Sequence, residues 1–280
     1  MTVAVVDMRS AEAEMAFVET LKRTGFAVLR NPPLDAQRMA RMADDWRGFF
    51  FSEEKWKHLA EETPSGNTSG YIPPDVSETA VGHDVKDLKE FFHIVPDTIL
   101  PAGLANDAES HLIEAQALGR LLLGWLDIHC GSALSAGLRG QLAESISPAD
   151  SLLRILHYPP LKGDEPPDAV RAAAHEDINL ITLLPVSAEP GLQVLGRDGK
   201  WTDVPGVPGD VIVNSGDMLQ EASGRQLPST SHRVINPTGG SSNLSRISMP
   251  YFIAPDLDIQ LSEKHTAGTY LRERLDLLAR

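Results

Sequence analysis

The sequence predicts a mixed α+β fold, in which an antiparallel β-barrel or sandwich has helices packed outside it. In the first half of the chain, apolar residues recur mainly at the spacing of a helix. From Ser151 onward, short segments rich in β-branched residues alternate with turn residues such as RDGK. Strands that follow a block of helices are typical of this class. No change of composition marks a linker, so we expect a single domain over 1–280, with a mainly helical region (1–150), a strand core (151–255) and a C-terminal helix (256–280).

Capping residues and apolar spacing predict the elements of the first half. A short strand, VAVVD, precedes a helix capped by Ser10, and GFAVLR is a second strand. Asp35 caps the next helix, whose apolar residues recur at helical spacing. The polar, Gly- and Pro-rich stretch 61–74 is predicted to be a loop. A long helix then runs over 107–130 and ends at Gly131.

The second half contains six predicted strands, each short, rich in β-branched residues and bounded by turn residues. Their sequences are SLLRILHYP, INLITLLP, GLQVLG, GDVIVNSG, SHRVINP and LSRISMPYFIAP. The segment from Leu261 to Arg280 is predicted to be a closing helix.

Composition and charge exclude several classes of function. The chain has 25 Lys and Arg against 39 Asp and Glu, a formal net charge of −14, which argues against nucleic-acid binding and against an anionic membrane partner. Cys130 is the one cysteine, which excludes an intramolecular disulfide and favours a reducing compartment. The N-terminus lacks the regions of a signal peptide, and no apolar run reaches the roughly 18 residues of a membrane helix. We therefore expect a soluble, cytoplasmic protein with no nucleic-acid or membrane partner.

Two charged or titratable side chains stand at the start of the buried strand INLITLLP, where an unpaired charge would be costly. His175 and Asp177 are two residues apart, so in an extended chain they point to the same face. His232 lies on another predicted strand, SHRVINP. Two histidines and one carboxylate on one face of an octahedral ion suit non-haem Fe(II), which keeps open positions for substrate and O₂. The alternative is that His175 bonds locally and Asp177 is a turn residue, because H-x-D arises often by chance.

A guanidinium and a hydroxyl follow the last of these residues. Arg246 and Ser248, in R-I-S, share a strand face by the same two-residue spacing. The turn NPTGGSSN predicts a hairpin in which Arg246 lies across from residue 233, beside His232. An arginine with an adjacent hydroxyl forms a clamp for a small carboxylate. The alternative is an arginine paired with a surface aspartate.

The combination of HED, GDVIVNSGDMLQEASGRQLPSTSHRV and RIS resembles the iron(II)- and 2-oxoglutarate-dependent oxygenases of the isopenicillin N synthase-like group, over most of the chain. The resemblance implies a double-stranded β-helix, or jelly roll, with flanking N-terminal helices and a C-terminal helix. It also implies that His175, Asp177 and His232 ligate a catalytic iron. Arg246 and Ser248 would bind the distal carboxylate of 2-oxoglutarate.

The activity that this resemblance implies is that of a dioxygenase. Iron, 2-oxoglutarate and O₂ would oxidise an unactivated C–H bond of a small molecule, by default hydroxylating it, while 2-oxoglutarate is decarboxylated to succinate. The substrate would be amino-acid-like or a secondary metabolite. Two alternatives stay open: an oxidase of the same family that cyclises or desaturates without 2-oxoglutarate, and a catalytically silent metal- or ligand-binding module.

Further residues are candidates for contact with the co-substrate or the substrate. Tyr158, in HYPP, stands where the family often has a tyrosine near the co-substrate; the alternative is an ordinary aromatic at a strand end. Arg154 shares a strand face with Tyr158 and would anchor a substrate carboxylate, unless it points outward. Tyr71, in the SGYIPP loop, would cover the mouth of the pocket, unless that loop is a surface turn, and Phe252 is a third substrate candidate. The C-terminal helix acts as a lid or packs against the barrel, and His157 is expected to face outward.

Overall fold

The structure, a computed structural model, describes residues 2–63, 67–76, 86–237 and 244–278. Its α-helices are α1 (Ala13–Thr24), α2 (Ala36–Phe51), α3 (Ala105–Cys130), α4 (Asp217–Ala222) and α5 (Ala267–Leu278). Short 3₁₀ helices lie at Glu53–His58 and Gly131–Ala133. Its strands are β1 (Val5–Asp7), β2 (Phe26–Arg30), β3 (Glu61–Glu62), β4 (Thr68–Ile72), β5 (Glu90–Ile94), β6 (Leu152–Tyr158), β7 (Ala172–His175), β8 (Ile181–Pro185), β9 (Leu192–Leu195), β10 (Trp201–Asp203), β11 (Val211–Ser215), β12 (His232–Val234), β13 (Arg246–Ser248) and β14 (Tyr251–Ile253).

The strands form two sheets. The larger sheet has the order β1-β2-β11-β8-β14-β6-β5-β4-β3, with β13 also paired to β6, and the smaller sheet has the order β10-β9-β12-β7. Apart from the parallel pair of β1 and β2, the described strand pairs are antiparallel. The predicted fold class, a mixed α+β jelly roll flanked by helices, is confirmed.

Buried apolar side chains form two clusters, one on each face of the larger sheet. The larger cluster packs α1, α2 and α3 against the outer face, where the fully buried Trp46 lies 5.0 Å from the ring of Phe92 between centroids. The smaller cluster fills the space between the two sheets, with Phe91 and Tyr158 from the larger sheet and Val194 from the smaller one. Phe91 and Phe92 are neighbours in β5, so this strand is buried on both faces.

The helices follow the predictions closely. The side chain of Asp35 caps α2 by accepting hydrogen bonds from the backbone N–H groups of Gln37 and Arg38, and α3 has nearly the predicted bounds. α1 begins later than expected, because the hydroxyl of Ser10 accepts from the N–H of Glu12 in a turn that precedes the helix. No helix in the described part of the chain has both the length and the apolarity needed to cross a membrane.

Some local predictions are wrong. The stretch 61–74 contains β3 and β4 rather than a loop, although its residues 64–66 lie outside the described ranges. β7, with the sequence AAAH, is not predicted because alanine carries little strand signal. His157 alternates away from Tyr158 as expected, but the face to which it points is covered by α2. Its side chain is 1% exposed and its ring stacks on Phe50 at 5.2 Å between centroids.

The predicted hairpin that places Arg246 across from residue 233 is also wrong. β12 lies in the smaller sheet between β9 and β7, whereas β13 lies in the larger sheet, where Arg246 stands opposite Tyr158. The chain therefore passes from one sheet to the other between β12 and β13. Part of the predicted turn, residues 238–243, lies outside the described ranges. A local turn signal cannot distinguish a hairpin from such a crossing.

Candidate metal centre

His175, Asp177 and His232 come together in the structure. His175 is the last residue of β7 and stands opposite His232, the first residue of β12. Asp177 lies two residues beyond β7, in the connection to β8. Its Oδ1 is 3.8 Å from Nε2 of His175 and 3.7 Å from Nε2 of His232, and one ligand atom from each residue lies within 4.8 Å of the other two. Three metal-ligating groups therefore converge.

Backbone carbonyls fix the orientation of both imidazoles. Nδ1 of His175 is 2.8 Å from the carbonyl oxygen of Ala173, and Nδ1 of His232 is 3.2 Å from that of Thr230. Because a carbonyl can only accept, each Nδ1 carries the proton and donates it. Nε2 of each ring then has its lone pair directed toward Asp177.

Two polar side chains hold the carboxylate of Asp177. Its Oδ2 accepts hydrogen bonds from the hydroxyl of Thr182, at 2.6 Å, and from the side-chain amide of Asn214, at 2.8 Å. Thr182 in β8 and Asn214 in β11 are direct cross-strand partners, so the two donors are fixed by the register of the larger sheet. Oδ1 is the oxygen that remains directed toward the imidazoles.

The surroundings of the three groups also set their charge. Burial alone would raise the pKa of Asp177, but the two imidazoles and the two hydrogen bonds outweigh it, so that pKa lies below its usual value. Enclosure by the protein and the neighbouring His232 ring lower the pKa of His175 to about 4, although 43% of its side chain is exposed. A charged carboxylate beside a neutral imidazole is the protonation state in which these groups bind a metal.

These three donors fit a divalent iron better than a structural metal. Two imidazole nitrogens and one carboxylate oxygen on one side of an ion leave further coordination positions open. A closed structural zinc site would instead need four protein ligands, usually including cysteine, and Cys130 is buried in the helical core. The donor set therefore fits Fe(II) with exchangeable positions.

Arg246, Ser248 and Tyr158 lie between the two sheets, on one face of neighbouring strands. Arg246 and Tyr158 are cross-strand partners, and all three side chains are buried, at 4%, 5% and 3% exposure. Nη1 of Arg246 donates to the backbone carbonyls of Glu189 and Pro190, whereas its buried Nε has no partner among the described residues. Burial raises the pKa of Tyr158 to about 12, so its hydroxyl stays protonated and can donate a hydrogen bond.

A cavity of about 330 Å³ opens beside His175 and Asp177. Arg154 is one of its lining residues, and the guanidinium lies 4.6 Å from the ring centroid of Phe91 and 5.6 Å from that of Phe252. Apolar residues also line the cavity, among them Ile178, Met218, Ala254, Leu257, Leu271 and Leu275.

Comparisons with known proteins bear on this site. Residues 149–255 match the model of the 2OG-Fe(II) oxygenase superfamily, and residues 3–111 match that of the non-haem dioxygenase N-terminal region, described from morphine synthesis. Proline hydroxylase buaE of Petromyces alliaceus is 30% identical over 266 residues, which cover 88% of this chain and 83% of the relative. The chain belongs to the 2-oxoglutarate–Fe(II) oxygenase superfamily.

Other relatives agree with this membership. Gibberellin 3-beta-dioxygenase 1 of Oryza sativa is 28% identical over 95% of this chain and 72% of its own length. A candidate oxygenase from Shewanella oneidensis has a TM-score of 0.87 and 43% identity, covering 100% of this chain and 99% of that one. A full-length Neurospora crassa protein, solved in complex with alpha-KG (2-oxoglutarate), has a TM-score of 0.78 and 25% identity, covering 97% and 95% of the two chains. The chain is thus a 2-oxoglutarate-dependent non-haem iron dioxygenase, and the predicted enzyme class and the predicted cofactors iron and 2-oxoglutarate are confirmed.

Of the three predicted substrate residues, two line the cavity and one does not. Arg154 and Phe252 line the cavity beside His175. Tyr71 does not line the cavity. Its side chain is fully buried in the larger apolar cluster, which packs α1, α2 and α3 against the larger sheet, and its hydroxyl donates to Glu90. We therefore propose no substrate contact for Tyr71.

Sequence reasoning missed several residues of the oxygenase site. Thr182 and Asn214 hold Asp177, and they carry no motif beyond an alternating strand pattern. Leu271 and Leu275 of α5 line the cavity, and their spacing of one helical turn was the available signal. The helix is joined to α4 by an ion pair of 3.0 Å between the side chains of Arg274 and Asp217. Packing against the barrel, the second of the two roles expected for this helix, accords with that contact.

Proposed function

We propose that this dioxygenase hydroxylates an unactivated C–H bond of a small molecule that carries a carboxylate next to an apolar body. The observation that carries the proposal is the cavity in which the metal-ligating residues, Arg154 and the apolar side chains of α5 meet. An amino-acid-like compound or a secondary metabolite of this kind would suit such a cavity. Relatives named for proline and for gibberellins support a small-molecule substrate.

The proposed iron ligands are His175, Asp177 and His232. When bound, iron and 2-oxoglutarate together activate O₂ for oxidation of the C–H bond, with 2-oxoglutarate decarboxylated to succinate. The two imidazoles are held by carbonyls and the carboxylate by two donors, so the ligand geometry is set before the ion binds. Catalysis in such a site depends on holding the reacting C–H bond in place, which is a task of the cavity walls.

The proposed co-substrate contacts are Arg246, Ser248 and Tyr158. The buried Nε of Arg246 has no protein partner in the described ranges, and a carboxylate is its natural acceptor. The hydroxyls of Ser248 and Tyr158 would add neutral hydrogen bonds to the same group.

Arg154 is the proposed anchor for the substrate carboxylate. Its Nε donates to Nε2 of His93 at 2.8 Å, and its guanidinium lies near the rings of Phe91 and Phe252. These contacts hold the charge at the cavity wall with little freedom, which favours recognition of a planar anion. Another basic residue of the wall, Lys89, forms an ion pair with Asp87 at 2.8 Å.

A cytoplasmic location is part of the proposal. The buried, free Cys130 supports a reducing compartment.

An anaerobic titration tests the proposal. The protein is loaded with Fe(II) and then with 2-oxoglutarate, and the weak visible charge-transfer band of the chelate is recorded. We expect the band in the wild type and its loss in His175→Ala, because one iron ligand is gone. Iron binding without any band would contradict 2-oxoglutarate chelation and favour an oxidase that does not use it.

Succinate release identifies the substrate class. A panel of apolar carboxylic acids and amino acids is compared with the corresponding amides. We expect substrate-stimulated succinate release with the acids, and its loss in Arg154→Gln while the charge-transfer band persists. Equal stimulation by acids and amides would contradict the role of Arg154 and leave the iron and 2-oxoglutarate assignment intact.

A further inference from the structure

Arg171 is a charged side chain that is buried, with no carboxylate partner among the described residues. It directly precedes β7 and is 1% exposed. Its Nη2 donates to the backbone carbonyl of Leu244 at 2.7 Å, and its buried Nε has no hydrogen-bond partner among the described residues. An unsatisfied buried donor on a charged group is unfavourable, so the environment of Arg171 is incomplete in the protein alone.

Arg246 is a second buried arginine whose Nε has no hydrogen-bond partner among the described residues. Leu244, whose carbonyl oxygen Arg171 contacts, is two positions before Arg246, so the guanidinium of Arg171 reaches the segment that carries Arg246. Arg246 is 4% exposed, and its Nε also lacks a partner in the described ranges. Burial lowers the pKa of both arginines, and each interacts electrostatically with Tyr158.

Neither guanidinium is paired with a carboxylate within the residues that the structure describes. The carboxylate of Glu189 acts electrostatically on both, but it is already bound by Arg47, at 3.2 Å, and by the hydroxyl of Ser187, at 2.8 Å. Two neighbouring buried cations destabilise each other unless an anion joins them. Their surroundings therefore favour binding of an anion with several acceptor oxygens.

We propose that Arg171 is a second arginine of the co-substrate subsite, and that the distal carboxylate of 2-oxoglutarate binds between Arg171 and Arg246. This rests on the proposed function, in which Arg246 and Ser248 bind that carboxylate. Arg171 adds a second positive charge to the subsite. It thereby makes the subsite select a dicarboxylate over 2-oxo acids that lack a charged distal end.

Calorimetric titration of anaerobic, Fe(II)-loaded protein tests this role. Two ligands are compared: 2-oxoglutarate, and 2-oxoglutaramate, in which the distal carboxylate is a neutral amide. The wild type binds 2-oxoglutarate more tightly. In Arg171→Gln we expect the affinity for 2-oxoglutarate to fall about 10- to 100-fold, as for loss of a hydrogen bond to a charged group, with a much smaller change for the amide. Arg171→Lys keeps the positive charge but lacks the planar guanidinium, so its affinity for 2-oxoglutarate should lie between those of the wild type and Arg171→Gln.

The controls separate this role from a structural one. Arg38→Gln removes an arginine that is paired with Glu114 on the helical side at 2.6 Å, and it should leave both affinities unchanged. If Arg171 had a purely structural role, Arg171→Gln would lower the affinity for both ligands equally. That result would overturn the proposal. If Arg171→Gln does not fold, Arg171→Lys decides, and an unaltered preference for 2-oxoglutarate over its amide overturns it. Wild-type protein that binds neither ligand would instead contradict the proposed function.

Discussion

Thr182 and Asn214 both donate to Oδ2 of Asp177, and this leaves Oδ1 facing the two imidazoles. The side chain of Thr182 is 2% exposed, so water does not replace the lost donor easily. Groups that orient metal ligands in this way commonly alter metal affinity by one to two orders of magnitude when they are removed. We therefore propose that Thr182 positions Asp177 and does not itself ligate the metal.

Thr182→Val should lower the Fe(II) affinity about 10- to 100-fold, because Oδ2 of Asp177 loses its hydroxyl donor while the shape of the side chain is kept. Anaerobic metal titration measures this. Thr20→Val is the matched control: Thr20 is also 2% exposed, and its hydroxyl donates to the carbonyl of Phe26 in the N-terminal region. Equal iron affinities in the two variants would contradict the assignment of Thr182.

Gly216 is required by space. A Cβ at this position would lie 2.1 Å from Oδ1 of Asn179, 2.4 Å from the carbonyl oxygen of Asn179 and 2.8 Å from that of Asp177. The backbone that follows Asp177 thus packs directly against this glycine at the start of α4.

Gly216→Ala should lower both stability and iron affinity, because the added methyl group displaces the backbone of Asp177. The loss of stability is expected to be about 1–3 kcal/mol, as for overpacking in a core. Gly48→Ala in α2 is the control, since its Cβ would meet no atom of the described residues within 4 Å and alanine favours the helix. Urea denaturation and iron titration measure the two effects, and unchanged iron affinity in Gly216→Ala would contradict the contact.

Helix α3 carries a buried histidine. His111 is 1% exposed, and its Nδ1 has no partner in the described part of the chain. Burial lowers its pKa to about 4 from a usual value near 6.5. The folded protein therefore keeps this ring neutral at a pH where the unfolded chain would protonate it.

This difference predicts a pH dependence of stability. The contribution of His111 is fully present above pH 6.5 and is lost as the pH falls toward 4, because the unfolded chain then binds a proton that the folded chain does not. The loss amounts to about 3 kcal/mol. Replacing His111 with Leu should flatten the dependence of the unfolding free energy on pH between 6.5 and 4. The same slope in wild type and variant would refute the role of this residue.

The sequence predicts elements where local chemistry determines them. Asp35 marks the start of α2, and β-branched runs mark β8 and β11. The sequence does not predict β7, because AAAH has no β-branched residue. It does not predict the pairing of β13 with β6 either, because that pairing depends on which sheet the chain enters after β12. The two-residue spacing nevertheless predicts that His175 and Asp177 point together, although Asp177 lies beyond the strand.

The larger sheet contains strands from both the N-terminal and the C-terminal half of the chain. β2 from the N-terminal region lies between β1 and β11, and β4 and β5 extend the same sheet beyond β6. The single-domain organisation over 1–280 stays a prediction, which this sharing supports.

One cooperative unfolding transition is expected for the full chain, because neither half can separate without breaking the larger sheet. Scanning calorimetry and circular dichroism should give the same midpoint. Adding Mn(II) with 2-oxoglutarate should raise that midpoint, since both bind the folded state only. Two separate transitions would show that the halves are independent domains.

The pairing of Val28 with Ile212 also constrains how the chain is made. Strand β2 must wait for a partner that is synthesised 184 residues later, since 212 − 28 = 184. His232, the last of the three proposed iron ligands, follows later still. Pairing over such sequence distances slows folding, because loop closure precedes the contacts that compensate it. Until β11 has been made, β2 exposes strand edges and apolar side chains, and such exposed segments favour aggregation of the nascent chain.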